Sequence, residues 1–301
     1  MALTPAICVL CTLVFATMVA QFPSWRMGVC GELDPPQAYA GECAAEYIGN
    51  YGVEPGLTSW LVQARCFSRF EADYTGLWGA RFDPLLFTED RRWWTLVTSA
   101  FVHIDVWHLV TNAIAFAVLG SWIERRFGAL RLAPMVLMTV VGGNLLSILA
   151  EDTCKFYCGL SGAVYGLVAT LIADLAIHWD SITRPVPRLI IFGGAIAMMT
   201  YELIGDKEVS GYSHLGGLLT GLLPCSLFIT RCPKTPPWRS WLLILAALIG
   251  FILIFISLPL ALYGTLGMGV APGGTMECLG IDFPRQGTHG YPVAPEDCEL
   301  L

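Results

Sequence analysis

Across 301 residues the chain is 55% hydrophobic and only 14% charged, with a mean hydropathy of +0.62. That balance excludes an ordinary soluble domain and marks an integral membrane protein. The formal charge of -7 says less than the placement of the charges, because short cytoplasmic loops gather Lys and Arg while Asp and Glu barely bias orientation. No basic patch with interleaved aromatic residues is present, which excludes nucleic acid as a partner.

Residues 2–22 form the first apolar run, long enough to cross a hydrocarbon layer of about 30 Å at about 1.5 Å per residue. It lacks a positively charged n-region and therefore reads as a retained span (1–22) rather than a cleaved signal peptide. Residues 23–104 are polar and acidic, carry Cys30, Cys43 and Cys66, and read as a folded loop outside the membrane. Trp93-Trp94 marks the return to the interface, where tryptophan is enriched. Apolar runs then recur at about 105–123, 132–150, 159–178, 187–204, 212–230 and 240–263, giving seven spans in all. Between the last two lies a short basic loop, 231–239, and a Gly- and Pro-rich acidic tail with Cys278 and Cys298 occupies 264–301. The fold class is all-α and polytopic. No internal repeat of the kind found in transporters is evident, and the polar groups sit near one surface rather than at the midplane, which disfavours a transporter.

Basic residues set the topology. Arg125, Arg126 and Arg131 follow span two, Arg184 and Arg188 follow span four, and Arg231, Lys234 and Arg239 follow span six. These breaks share one side by parity, and that side is cytoplasmic. The first loop, the 151–158 and 205–211 breaks and the tail then face the lumen or exterior. Cys30, Cys43, Cys66, Cys154, Cys158, Cys278 and Cys298 lie in or near that oxidising side, and a single sequence assigns no pairing among them. Cys8, Cys11 and Cys225 sit in apolar runs as small buried hydrophobes. Cys154 and Cys158 have no second ligand pair for zinc, so neither a metal nor a cofactor is expected.

Spans two, four and six all begin on the exoplasmic side, and each carries its unusual polar residues near its start: His108 and Asn112, then Ser161, then His214. Polar groups inside spans are costly and face a protein interior or a watery cavity. His108 and Asn112, four apart, share a helical face, as do Ser161 and Tyr165. Gly217 and Gly221 continue the face of His214, while Gly162 and Gly166 thin span four, so the two helices can approach closely enough for Ser161 to meet His214. A serine hydroxyl beside a neutral imidazole permits acyl transfer. The Ser161 N–H, His108 and Asn112 are candidate oxyanion donors, and no carboxylate stands out to orient His214, which makes the pair a dyad.

Four elements in order, His108-x-x-x-Asn112, Glu124-x-Arg126-x-Gly128, Gly159-x-Ser161-Gly162 and His214-x-x-Gly217-x-x-x-Gly221, resemble the rhomboid family of intramembrane serine proteases over roughly residues 79–230. The resemblance implies Ser161 as nucleophile, His214 as base, His108 and Asn112 as oxyanion stabilisers, Tyr165 stacked on His214, and a catalytic core within 105–230. It further implies substrates that are single-span membrane proteins cut in or near the span. A seventh span after a six-span core, with a large first loop, is similar to eukaryotic secretory-pathway members, which implies residence in the Golgi, endosomal or plasma membrane. The chain departs from the family where Trp94-Thr95 replaces the usual Trp-Arg. The rival functional reading is a proteolytically silent relative that binds membrane clients for trafficking or degradation.

Simpler roles are expected elsewhere. His103 reads as an interfacial structural histidine, Asp174 and His178 as a local hydrogen-bonded pair, Glu124 with Arg126 as a loop brace, and Glu202 as snorkelling to water.

Overall fold

A computed structural model describes residues 2–30, 70, 72–83, 86, 91–151, 155–205, 210–229 and 237–266. Cys43, Cys66, Cys154, Cys278, Cys298, Arg231 and Lys234, with the side chains of Cys30, Glu202 and Arg239, lie outside the described residues. In chain order the elements are α1 (Leu3–Cys30), α2 (Ala72–Leu77), β1 (Arg81–Phe82), α3 (Thr95–Thr98), α4 (Val106–Phe127), α5 (Ala129–Ala150), β2 (Phe156–Tyr157), α6 (Ser161–Ile177), α7 (Pro185–Gly205), α8 (Gly211–Leu222), α9 (Pro237–Ile252) and α10 (Leu258–Leu266). A π-helical turn, Leu253–Ser257, joins the last two.

The helices differ in reach more than the evenly spaced apolar runs suggest. Among the described residues, four stretches can cross a membrane by length and composition: Leu3–Phe22, Val106–Phe127, Ala129–Ala150 and Ile244–Leu262. By contrast α6 has 17 residues and α8 only 12, roughly 26 Å and 18 Å at about 1.5 Å per residue. Helix α8 stops at Leu223, where Pro224 opens a 3-10 segment, Pro224–Phe228. A proline cannot continue the helical hydrogen-bond ladder from its own nitrogen.

Helix α6 is the centre of the molecule. After Ser161 its residues are buried on every face, except half-buried Ile172 and exposed Ala176, as expected of a helix that is apolar all round. Helix α8 lies against both α6 and α5, and glycine makes this contact possible. A methyl group added at Gly217 would run into the carbonyl oxygen of Gly162, and one at Gly221 into that of Gly166. On the opposite side, one at Gly216 would stand 2.6 Å from the Gly142 carbonyl oxygen. In hydrocarbon, where burial gives little reason for helices to associate, such close backbone approach supplies the packing.

Helix α1 closes the core from outside through Cys11, Phe15 and Met18, and the Tyr74 hydroxyl donates to the Met18 carbonyl at 2.7 Å. Glu124, at the far end of α4, accepts from the amides of Ala2, Leu3 and Thr4 at 2.7, 3.1 and 2.9 Å and from the Thr4 hydroxyl at 2.6 Å. It thereby holds the amides at the start of α1, which have no partner within the helix. This corrects the expectation that Glu124 and Arg126 brace one loop together: Arg126 turns instead to Asp174 on α6. Two residues apart on a helix, the pair face different directions.

The first loop is stitched onto the segment before Ser161. Strand β1 pairs antiparallel with β2, Arg81 opposite Tyr157 and Phe82 opposite Phe156, and the rings of Phe82 and Phe156 stack at 4.5 Å. Thr95, the residue after Trp94, is buried, and its hydroxyl donates to the Arg92 carbonyl at 2.7 Å. At the other end of the chain, Leu262 closes a small apolar cluster with Leu86, Leu96, Leu145 and Ile148.

Because the obstacle at Gly217 is backbone and cannot rotate away, Gly217→Leu is expected to cost at least the upper end of the about 1–3 kcal/mol typical of overpacking. Thermal unfolding in detergent checks this; a monodisperse variant melting with the wild type would contradict the packing described.

Candidate active site

Each candidate side chain stands at the start of a helix, and local chemistry fixes each start. Asp105 caps α4 by accepting from the His108 amide at 2.7 Å, and Ser210 caps α8 by accepting from the Ser213 amide at 3.1 Å; both are N-cap residue types. Helix α6 begins without a side-chain cap. Its entry is a turn at Gly159, with φ +116°, a conformation in which side-chain-bearing residues are strained. The Gly159 amide donates to the Ser99 carbonyl at 2.8 Å.

The structure brings Ser161 and His214 together, with Nε2 of the imidazole 2.7 Å from the serine Oγ. With Nδ1 carrying the ring proton, the hydroxyl donates to Nε2, the arrangement a general base requires. His214 is buried, and the Tyr165 ring lies flat against it, centroids 4.1 Å apart and planes 17° from parallel. Among the described residues Nδ1 of His214 meets no hydrogen-bond acceptor, so packing against Tyr165 orients the ring.

His108 joins the site from the other side. Its Cε1 and Nε2 lie 2.5 Å from where a Gly159 methyl group would be, so the absent side chain at Gly159 is the space the imidazole occupies. Gly162 is likewise close-packed, a methyl group there standing 3.2 Å from the Ser213 Oγ. Asn112 is buried, and its Nδ2 donates to the His108 carbonyl at 2.8 Å, which leaves the second N–H of that amide for another acceptor. His103 stands edge-on to His108 with ring centroids 5.1 Å apart. Burial, with a smaller contribution from neighbouring His108, holds the His103 imidazole well below the usual histidine range and keeps it neutral.

At the opposite end of α6, Asp174 and His178 form the expected pair, Nδ1 to Oδ1 at 2.7 Å. Arg126 joins them, its Nε 2.7 Å from Oδ2 and its Nη2 3.0 Å from Oδ1. This two-pronged bond ties the end of α4 to the end of α6. Sequence reasoning also missed a polar line comprising buried Arg81, Asn144 and Ser147 and half-buried Glu151 and Ser210. The signal was available: Asn144, Ser147 and Glu151 recur at i, i+3 and i+7, one helical face, in an otherwise apolar run. Among the described residues no three His, Cys, Asp or Glu side chains converge as metal ligands, and Cys158 is a free thiol.

An all-α polytopic membrane protein with a serine and a histidine in contact between two of its helices is the class that fold and site define. Residues 90–231 match the Rhomboid domain family. The chain is 29% identical over 191 residues to Rhomboid-like protease 1 of Toxoplasma gondii, covering 62% of each chain. It is 25% identical over 187 residues to Rhomboid-like protease 3 of the same organism, covering 62% of this chain and 70% of that one. To the mitochondrial RHOMBOID-like protein 6 of Arabidopsis thaliana it is 30% identical over 149 residues, covering 49% and 47%. The matched region thus spans less than two thirds of the length of the first and third of these relatives. Over residues 90–231 the chain is similar to the rhomboid family.

Removing the carboxylate in Asp174→Ala strands both Arg126 and His178. Because the Arg126 side chain is 33% exposed, the expected loss is about 1–3 kcal/mol, below that for a fully buried pair. Chemical or thermal unfolding in detergent measures it, and an unchanged midpoint would show that the cluster contributes nothing.

Proposed function

We propose that this protein is an intramembrane serine endopeptidase that cleaves single-span membrane proteins in or near their transmembrane segment, with Ser161 as nucleophile and His214 as general base. The observation that carries the proposal is the 2.7 Å contact between the Ser161 Oγ and the His214 Nε2. The family match and the two relatives named proteases support it. Ser161 Oγ attacks the substrate carbonyl carbon while its proton passes to Nε2. The oxyanion of the tetrahedral intermediate is met by donors at the helix starts: the Ser161 amide, the His108 ring and the remaining Asn112 N–H. Collapse breaks the C–N bond, the imidazolium gives its proton to the departing amine, and the acyl group stays on Oγ. A water then loses a proton to His214 and attacks the acyl carbon, releasing the acid and restoring the hydroxyl.

The distribution of Arg and Lys supports placing the site toward the lumen or exterior. A large first loop and a seventh helix support residence in the secretory pathway, at the Golgi, endosomes or plasma membrane.

A fluorophosphonate probe on purified protein tests the reading. Wild type is expected to label, and Ser161→Ala and His214→Ala to lose labelling while remaining folded; absence of labelling from folded wild type would instead support a silent client-binding relative. Asn112→Ala is expected to slow substrate cleavage by about 10²-fold, the size of one lost oxyanion donor, and an unchanged rate would remove Asn112 from that role.

A further inference from the structure

Polar side chains that the proposed chemistry does not use run in an unbroken line from the first loop to the helix that carries His214. Arg81, fully buried, pairs through Nε with Asp83 at 2.7 Å and lies 4.5 Å above the Tyr157 ring. Its Nη1 donates to the carbonyl and side-chain oxygens of Asn144 at 2.9 and 2.8 Å. Its Nη2 donates to the Ser147 hydroxyl at 2.6 Å. Ser147 in turn donates to Oε2 of Glu151. That oxygen also accepts from the Ser210 hydroxyl at 2.6 Å, and Oε1 accepts from the Tyr212 amide at 2.9 Å. Ser210 completes the line by accepting from the Ser213 amide at 3.1 Å. Each of the two hydroxyls, Ser147 and Ser210, gives its one proton to Glu151 and receives one hydrogen bond.

The line ends at the first turn of α8. First-turn amides have no partner within their own helix, and a carboxylate beside them is favoured by the helix dipole. Here the amides of Tyr212 and Ser213 are both held, one by Glu151 directly and one through Ser210, and the next residue is His214. A turn fixed at those two amides cannot rotate without moving the imidazole. A displacement of about 1 Å at a reacting group can cost about 10²-fold in rate.

We propose that Glu151 is a positioning residue that sets the His214 ring against Ser161 by anchoring the start of α8, and that through Ser147 it ties this anchor to Arg81 in the first loop. The inference rests on the reading of Ser161 and His214 as the catalytic pair. Seating of the first loop and readiness of the dyad thereby become one structural event.

The full chain in detergent gives two independent readouts: the rate of fluorophosphonate labelling, and hydrogen exchange of the amides in residues 210–222. Glu151→Ala is expected to slow labelling about 10-fold and to speed exchange at Tyr212 and Ser213 by about as much. For a transmembrane substrate the loss should fall on kcat with KM within about twofold. Glu151→Gln, whose amide oxygen still accepts from Tyr212, should recover most of both, and Ser147→Ala should fall between. Labelling of Glu151→Ala within about twofold of wild type overturns the proposal, as does faster exchange without slower labelling. If Glu151→Ala fails to fold, Glu151→Gln and Ser147→Ala decide by the same criteria. A wild type that takes no probe but shows the exchange effect removes the hydrolase reading and leaves the anchor standing. Unchanged exchange removes the anchor whatever the probe does.

Discussion

The separation of α6 and α8 is the constraint on which the candidate site depends. A serine hydroxyl and an imidazole are short reaches from their backbones, and 2.7 Å between them requires the two helices to touch nearly main chain to main chain. Gly217 against Gly162 and Gly221 against Gly166 provide that approach. The Thr170 hydroxyl fixes it further along, bonding to the carbonyls of Gly166 at 2.9 Å and Gly221 at 3.1 Å. Backbone contacts have no rotamers to change, so the spacing of the pair is set by the stiffest parts of the molecule.

Helix α6 is also held at both ends. Before it, Gly159 is bonded to Ser99 and the β1–β2 pairing ties the entry segment to the first loop; after it, Asp174 is clamped by Arg126 and His178. Its circumference is buried between α4, α5, α7 and α8. The outermost helices contrast with this. On α7, Leu189, Ile190 and Ile191 point away from the protein, while Phe192 reaches the core by meeting Trp122 edge-on at 5.2 Å. The serine therefore sits on the least movable helix, and conformational freedom is left to the periphery.

What could be read from the sequence divides along physical lines. His108, Asn112, Ser161 and His214 stood out because a polar group in an apolar run is costly and conspicuous, and because parity put their helices in the same direction. Gly217 and Gly221 stood out because glycine on a polar residue's face has a packing consequence. Gly216 and Gly142 escaped notice: in one sequence a glycine facing another backbone looks like any other. Pairings between distant residues were likewise not legible. Glu124 and Arg126 are neighbours in sequence, and only the fold shows that one caps α1 while the other reaches α6. Arg81 carried no signal of its own in the sequence. Its burial depends on a two-residue strand pairing too short to leave a periodic signal.

The shortness of α6 and α8 suits the proposed hydrolysis. Hydrolysis of an acyl-enzyme consumes a water, and a hydrocarbon layer of about 30 Å excludes it. A helix that spanned that layer fully would carry a residue near its start to the surface, or bury one further along beyond the reach of solvent. Helices of 17 and 12 residues are shorter than that layer at about 1.5 Å per residue, and β2 leads through Gly159 into Ser161 at the start of α6. Irregular backbone inside a membrane is tolerated only where protein or water satisfies its polar groups, and the Gly159 amide and the Leu96 carbonyl find their partners in the Ser99 carbonyl and the Asn144 side chain. At the start of α8 the polar line meets the same requirement: Glu151 and Ser210 accept from the first-turn amides of Tyr212 and Ser213, the two residues before His214.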